Sequence, residues 1–130
     1  MATAMTFDEV EAYLSRLAEA LPEPLFRELN GGIVLLPDTV MPAHDRDGQL
    51  YTLGTYHHQP HGLGRYISIH YGSFVAVHGM DSRRRQREAL RRVLLHELTH
   101  HMENLAGLRD LEEKDRGQLE RYLAQFDDED

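Results

Sequence analysis

The sequence predicts an α+β domain: a small, mostly antiparallel sheet with helices packed on one of its faces. Two observations carry this. Apolar residues recur at helical spacing near both ends of the chain, at Val10, Tyr13, Leu14, Leu17 and Leu21 and again at Leu119, Tyr122, Leu123 and Phe126. Between them lie short runs rich in β-branched and aromatic residues, bounded by glycine and proline. The order is helix, short strands, long helix, helix, which suits one layer of each.

The first helix starts at "TFDE". Thr6 is the N-cap, Glu9 completes a capping box, and Met5 staples against Val10. Pro22 ends it, and Pro24 opens a short second helix, "PLFREL", that stops at Asn30-Gly31-Gly32. "GIVLLP" reads as a buried strand and is followed by a polar loop holding Pro42, Asp45, Asp47 and Gly48. "LYTLGTY" and "GRYISIHYG" are strands, with "HHQPHGLG" as the hairpin loop between them. "SFVAVHGM" suits a strand or a connecting turn. Asp81 or Ser82 caps the longest helix, about Arg83 to Leu105, with Gly107 placed as its C′ glycine. A last helix runs from about Leu111 to Phe126, and residues 127–130, "DDED", form an acidic tail.

The chain of 130 residues suits one domain over 1–130, and 41% hydrophobic residues suffice for a core. No run approaches the roughly 18–20 apolar residues that span a bilayer. The first residues are acidic rather than basic, unlike a secretory leader. Without cysteine there is no disulfide, thiolate zinc site or cysteine nucleophile, which fits a reducing cytoplasm. A net charge of −8 makes nucleic acid a poor first choice of partner. Six of the 14 Lys and Arg residues fall between Arg83 and Arg92, a pattern expected of a solvated face with intramolecular pairs.

Nine histidines direct attention to "LHELTHHMEN", residues 95–104. His96-Glu97-Leu98-Thr99-His100 is an HExxH pattern inside a predicted helix. Residues i and i+4 lie one above the other, about 6 Å apart along the axis, so two imidazoles can grip one ion. Glu97, about 100° round from His96, reaches a water at that ion as general base. Leu94, Leu95 and Leu98 supply a dry shell. The competing reading is a pair of hydrogen-bonded histidines on a half-buried face.

Catalytic zinc takes three protein ligands and keeps one open position. The metzincin spacing fails, because its glycine falls at Glu103 and its third histidine at Ala106. Glu103 lies a turn beyond His100 and takes a supporting or capping role; His101, off the ligand face, is a supporting or surface group. In "DLEEKD", stepping back from Leu119 by four and by seven gives Asp115 and Glu112 on the core face. Glu113 aligns instead with the solvent side. Buried carboxylates need a cation or a metal, so Glu112 is the expected third ligand and Asp115 its support, with Glu113 or Asp115 as alternatives. An acid-rich helix start explains the same residues without a metal.

These motifs resemble the small bacterial zincin-like metallopeptidases and, in the third ligand, the minimal gluzincins. The resemblance rests on "TFDEVEAYLSRLAEALPE", "LGTY", "RYISIHYGSF" and "RRVLLHELTHH" followed by "LAGLRDLEEKD". It implies a zincin-like fold with HExxH on the active-site helix. It further implies one zinc ion on His96 and His100, Glu97 as general base, and an acidic third ligand in the following helix. It also implies that a sheet edge receives extended substrate, with His57, His58 or Tyr71 lining the cleft or stabilising an oxyanion. A hairpin tip without a role is the alternative for those histidines. The expected function is a zinc-dependent metallopeptidase acting on peptide or protein through a metal-activated water. The alternatives are a zinc-dependent ribonuclease-like hydrolase, with the arginines on phosphate, and an inactive metal-stabilised binding module.

Overall fold

The computed structural model describes residues 3–41, 51–58 and 64–109. Three helices, α1 (Phe7–Ala20), α2 (Tyr71–His78) and α3 (Arg83–Arg109), surround a sheet of three strands, β1 (Gly32–Leu36), β2 (Gly54–His58) and β3 (Arg65–His70). The α+β class is as expected. The last helix, the loop at 42–50, most of the hairpin loop with His61, and the acidic tail lie outside the described residues.

Helix α1 begins as its sequence dictates. The Glu9 amide donates to Thr6 Oγ1 (3.1 Å) and the Thr6 amide to Glu9 Oε1 (2.8 Å), so two amides that the helix leaves unpaired are each satisfied by the other residue's side chain. Met5 and Val10 are both buried in the core. After Leu21 a 3-10 turn, Glu23–Phe26, replaces the longer "PLFREL" helix. Glu28 then takes a left-handed conformation (φ 63°), which no helix of L-residues continues through.

The sheet order is β1-β3-β2. β3 pairs antiparallel with β2 (Tyr56 opposite Ile67) and parallel with β1 (Ile33 opposite Ile67). The sheet is therefore mixed, not mostly antiparallel. β2 lies at the far edge from β1, and β3 enters between the two earlier strands; the parallel pair β1 and β3 is thus joined by way of β2, since parallel strands cannot be linked by a tight turn. Central β3 buries Ile67 and Ile69, which join Leu14, Leu17, Leu90, Leu94 and Leu98 in one core.

"SFVAVHGM" is mostly helical, within α2, where Phe74 and Ser73 are fully buried. Gly72 is needed there: a Cβ would lie 2.7 Å from the Asp38 carbonyl oxygen, which accepts the Gly72 amide. α3 runs through Gly107 to Arg109, so Gly107 is not its C′ residue. One glycine costs a helix about 1 kcal/mol, too little to stop one that is packed along its length. The arginine run is partly paired within the chain. Arg83 binds Glu9 (2.9 Å) and the Thr3 carbonyl (2.9 Å), and Arg84 faces Glu88 (3.5 Å). Beside it Gln86, fully buried, accepts from the Met5 amide and donates to the carbonyls of Thr3 and Asp81. Among the described residues no helix is long and apolar enough to cross a membrane.

Candidate metal centre

α3 lays His96 and His100 one turn apart on its exposed face, and Glu97 turns inward to a buried position. The two Nε2 atoms converge to 3.1 Å, with the rings nearly perpendicular. One ligand atom from each of His96, Glu97 and His100 lies within 4.8 Å of the others. Zinc–nitrogen bonds of about 2.0–2.1 Å at a tetrahedral angle place two nitrogens about 3.3 Å apart, so the separation suits such an ion, and it is equally the length of an N–H···N hydrogen bond between the two rings. On the opposite ring edge, His100 Nδ1 faces Glu103 Oε1 at 3.5 Å. A carboxylate there favours the tautomer that leaves the Nε2 lone pair for a metal. Thr99 donates its hydroxyl to the Leu95 carbonyl (2.9 Å) and stays within the helix.

Burial pushes the Glu97 carboxyl above the ordinary carboxylate range, against the opposing pull of His100, His96 and the Tyr56 backbone N–H. That N–H comes from the sheet edge. The His70 amide donates to the Leu53 carbonyl, so Leu53, Thr55 and His57 turn their backbone polar groups toward β3. Those of Gly54, Tyr56 and His58 face outward along the edge. Gly54 permits the approach to α3: a Cβ there would lie 2.7 Å from Val93 Cγ1 and 3.2 Å from Glu97 Cγ.

Between the edge and α3 opens a cleft of about 620 Å³. β2 and its approach contribute Thr52, Gly54, Thr55, Tyr56 and His58; α3 contributes Glu97, His100, Glu103 and Asn104. A second hollow of about 560 Å³ lies between α1 and β1, floored by Leu14, Leu29, Ile33 and Leu35. None of the ligand-type residues of α3 lines it.

The other expected site residues divide. His101 is fully buried, not on the surface. Its Nε2 lies 2.8 Å from the Arg27 carbonyl and must donate to it, so Nδ1 accepts from the Tyr56 hydroxyl, also at 2.8 Å. Burial holds its pKa down, in keeping with a neutral ring. Glu103 is exposed beside His100, at the cleft. His57 points to the other sheet face, because side chains alternate along a strand. There it bonds Ser68 Oγ (2.9 Å) and stacks on Tyr66, while His58 lines the cleft. Tyr71 is not at the cleft either: its hydroxyl donates to the Met5 carbonyl and its ring meets Phe7 edge-on. Glu112, Glu113 and Asp115, the candidates for a third ligand, lie outside the described residues.

Tyr56 and Gly54 escape a reading of the sequence. They sit in the quoted "LGTY" strand, but nothing local says that this strand is the edge beside α3. Asn104 is also at the site: its Oδ1 accepts from Arg65 Nε (3.1 Å), holding the start of β3 to the helix.

No family model matches the chain, and no curated protein matches it at a significant level. Among solved structures it is similar to a conserved hypothetical protein from Thermo thermophilus. The two are 31% identical with a TM-score of 0.68, over 78% of this chain and 98% of the other. At that identity and coverage, the chain belongs to the same family as the Thermo thermophilus protein.

Proposed function

We propose that the chain is a zinc-dependent metallopeptidase with a zincin-like active site. The observation that carries this is the convergence of His96 Nε2 and His100 Nε2 to 3.1 Å beside a buried Glu97, with His100 and Glu97 lining a cleft bordered by a strand edge. His96 and His100 would hold the ion, with Glu112 as the proposed third ligand. When bound, zinc supplies a Lewis acid and lowers the pKa of water at the site.

The chain's own residues do the rest. An extended peptide adds to the outward-facing groups of β2, which fixes the scissile carbonyl beside Glu97. Glu97, raised by burial, takes a proton more readily than an ordinary carboxylate. It accepts one from the attacking water as the water oxygen bonds to the carbonyl carbon. It then delivers that proton to the amine nitrogen as the C–N bond breaks.

Zinc analysis of the purified protein, paired with digestion of a peptide library by wild type and Glu97→Gln, tests the reading. The variant is expected to keep zinc and lose at least about 100-fold in hydrolysis. A variant that loses its zinc or keeps full activity overturns the role of Glu97.

A further inference from the structure

We infer that the cleft selects peptides with a cationic side chain, and that Glu103 is the residue that reads it. This rests on the peptidase reading and names its substrate class. Among the described residues, the lining holds two carboxylates, Glu97 and Glu103, but no lysine, arginine, leucine, isoleucine or valine. Tyr56 gives it an aromatic wall that any side chain can lie against, so charge is what lets the lining tell one side chain from another.

The two acids differ in what they can do. Glu97 is buried and faces the histidine pair. Glu103 is exposed, seven residues beyond His96 on the same stripe of α3, with 57% of its side-chain surface open. Among the described residues its one partner is His100, and that contact is long, 3.5 Å through a single oxygen. The nearby cation, Arg65, does not neutralise it. Arg65 Nε donates to Asn104 Oδ1 at 3.1 Å, and its guanidinium faces Glu28 at 3.7 Å. Glu103 thus keeps an open carboxylate at the rim, one helical turn from His100. A lysine or arginine side chain of a peptide on β2 meets it there. The net charge of −8 draws the same substrates from solution.

The test uses zinc-loaded full-length protein and matched peptides that differ in one lysine, glutamine or glutamate near the cleaved bond. Wild type is expected to favour lysine over glutamine by about three- to fivefold in kcat/KM, mostly through KM, with the preference shrinking at high salt. Glu103→Gln, whose amide oxygen can still accept from His100 Nδ1, abolishes the preference in protein saturated with zinc, and Glu103→Lys reverses it toward glutamate. Equal cleavage of all three peptides by wild type, or a preference that survives Glu103→Gln, overturns the inference. So does a Glu103→Gln protein that cannot be loaded with zinc, because the lost preference would then come from the metal site and not from the open carboxylate. If no peptide is cleaved, it is the peptidase reading that fails. Fluorescence anisotropy then decides the inference in the Glu97→Gln background: the lysine peptide binds about three- to fivefold tighter than the glutamine peptide, and adding Glu103→Gln removes the difference. Equal binding overturns it.

Discussion

The Tyr56 hydroxyl and His101 Nδ1 lie 2.8 Å apart, and this bond ties the sheet edge to α3 one residue past His100. The donor and acceptor follow from the far side of the ring, where Nε2 must give its proton to the Arg27 carbonyl. Tyr56→Phe leaves Nδ1 buried without a donor, and the expected cost is about 1–2 kcal/mol. Urea denaturation measures it; a midpoint equal to wild type would show that the bond contributes nothing net.

The same ring makes stability depend on pH. Burial holds His101 below its ordinary 6.5, so the folded protein keeps it neutral where the unfolded chain takes a proton. Its contribution is therefore present in full above about pH 6.5 and is lost as pH falls from there through the lower folded value. Denaturant midpoints from pH 8 down to pH 5 are expected to fall less steeply in His101→Gln than in wild type. Parallel slopes would rule the ring out as a source.

Two glycines make opposite predictions. Gly54→Ala drives a methyl against Val93 and Glu97, at 2.7 and 3.2 Å. It is expected to cost about 1–3 kcal/mol and to lower the proposed activity, because Glu97, the proposed base, is displaced. Gly107→Ala meets nothing within 4 Å inside a helix and is expected to stabilise by up to about 1 kcal/mol. Thermal melts of the pair check both signs; stabilisation by Gly54→Ala would show that β2 does not pack against α3 as described.

Zinc itself is expected to stabilise the fold. At a free concentration of about 100 times Kd the gain is about 2.7 kcal/mol, and chelation reverses it. His96→Ala and His100→Ala abolish the zinc-dependent shift in melting temperature, whereas Glu97→Gln retains it. A shift that survives loss of both histidines places the ion elsewhere.

Much of this architecture is local and so can be read along the chain. The Thr6–Glu9 box, the helical runs and the HExxH pair depend on neighbours three or four residues apart, and backbone geometry alone brings those together. The strands are legible as strands and β2 with β3 as a hairpin, yet the parallel pairing of β1 with β3 is not. "SFVAVHGM" shows the limit: its β-branched residues suit a strand, and packing of Phe74 in the core makes it helix instead.

By itself, then, the sequence determined the α+β class, the helix that carries HExxH, and which three of its residues converge. Tertiary structure decided the cleft. It chose β2 as the edge beside α3, so that His58 faces the site and His57 turns away, one residue of strand period being one face of the sheet. It buried His101 under Tyr56 and sent Tyr71 to the N-terminal segment. These contacts join residues 45 and 66 positions apart, and no local periodicity encodes such a distance. They form because burying the apolar face of β3 under α1 and α3 brings their elements together.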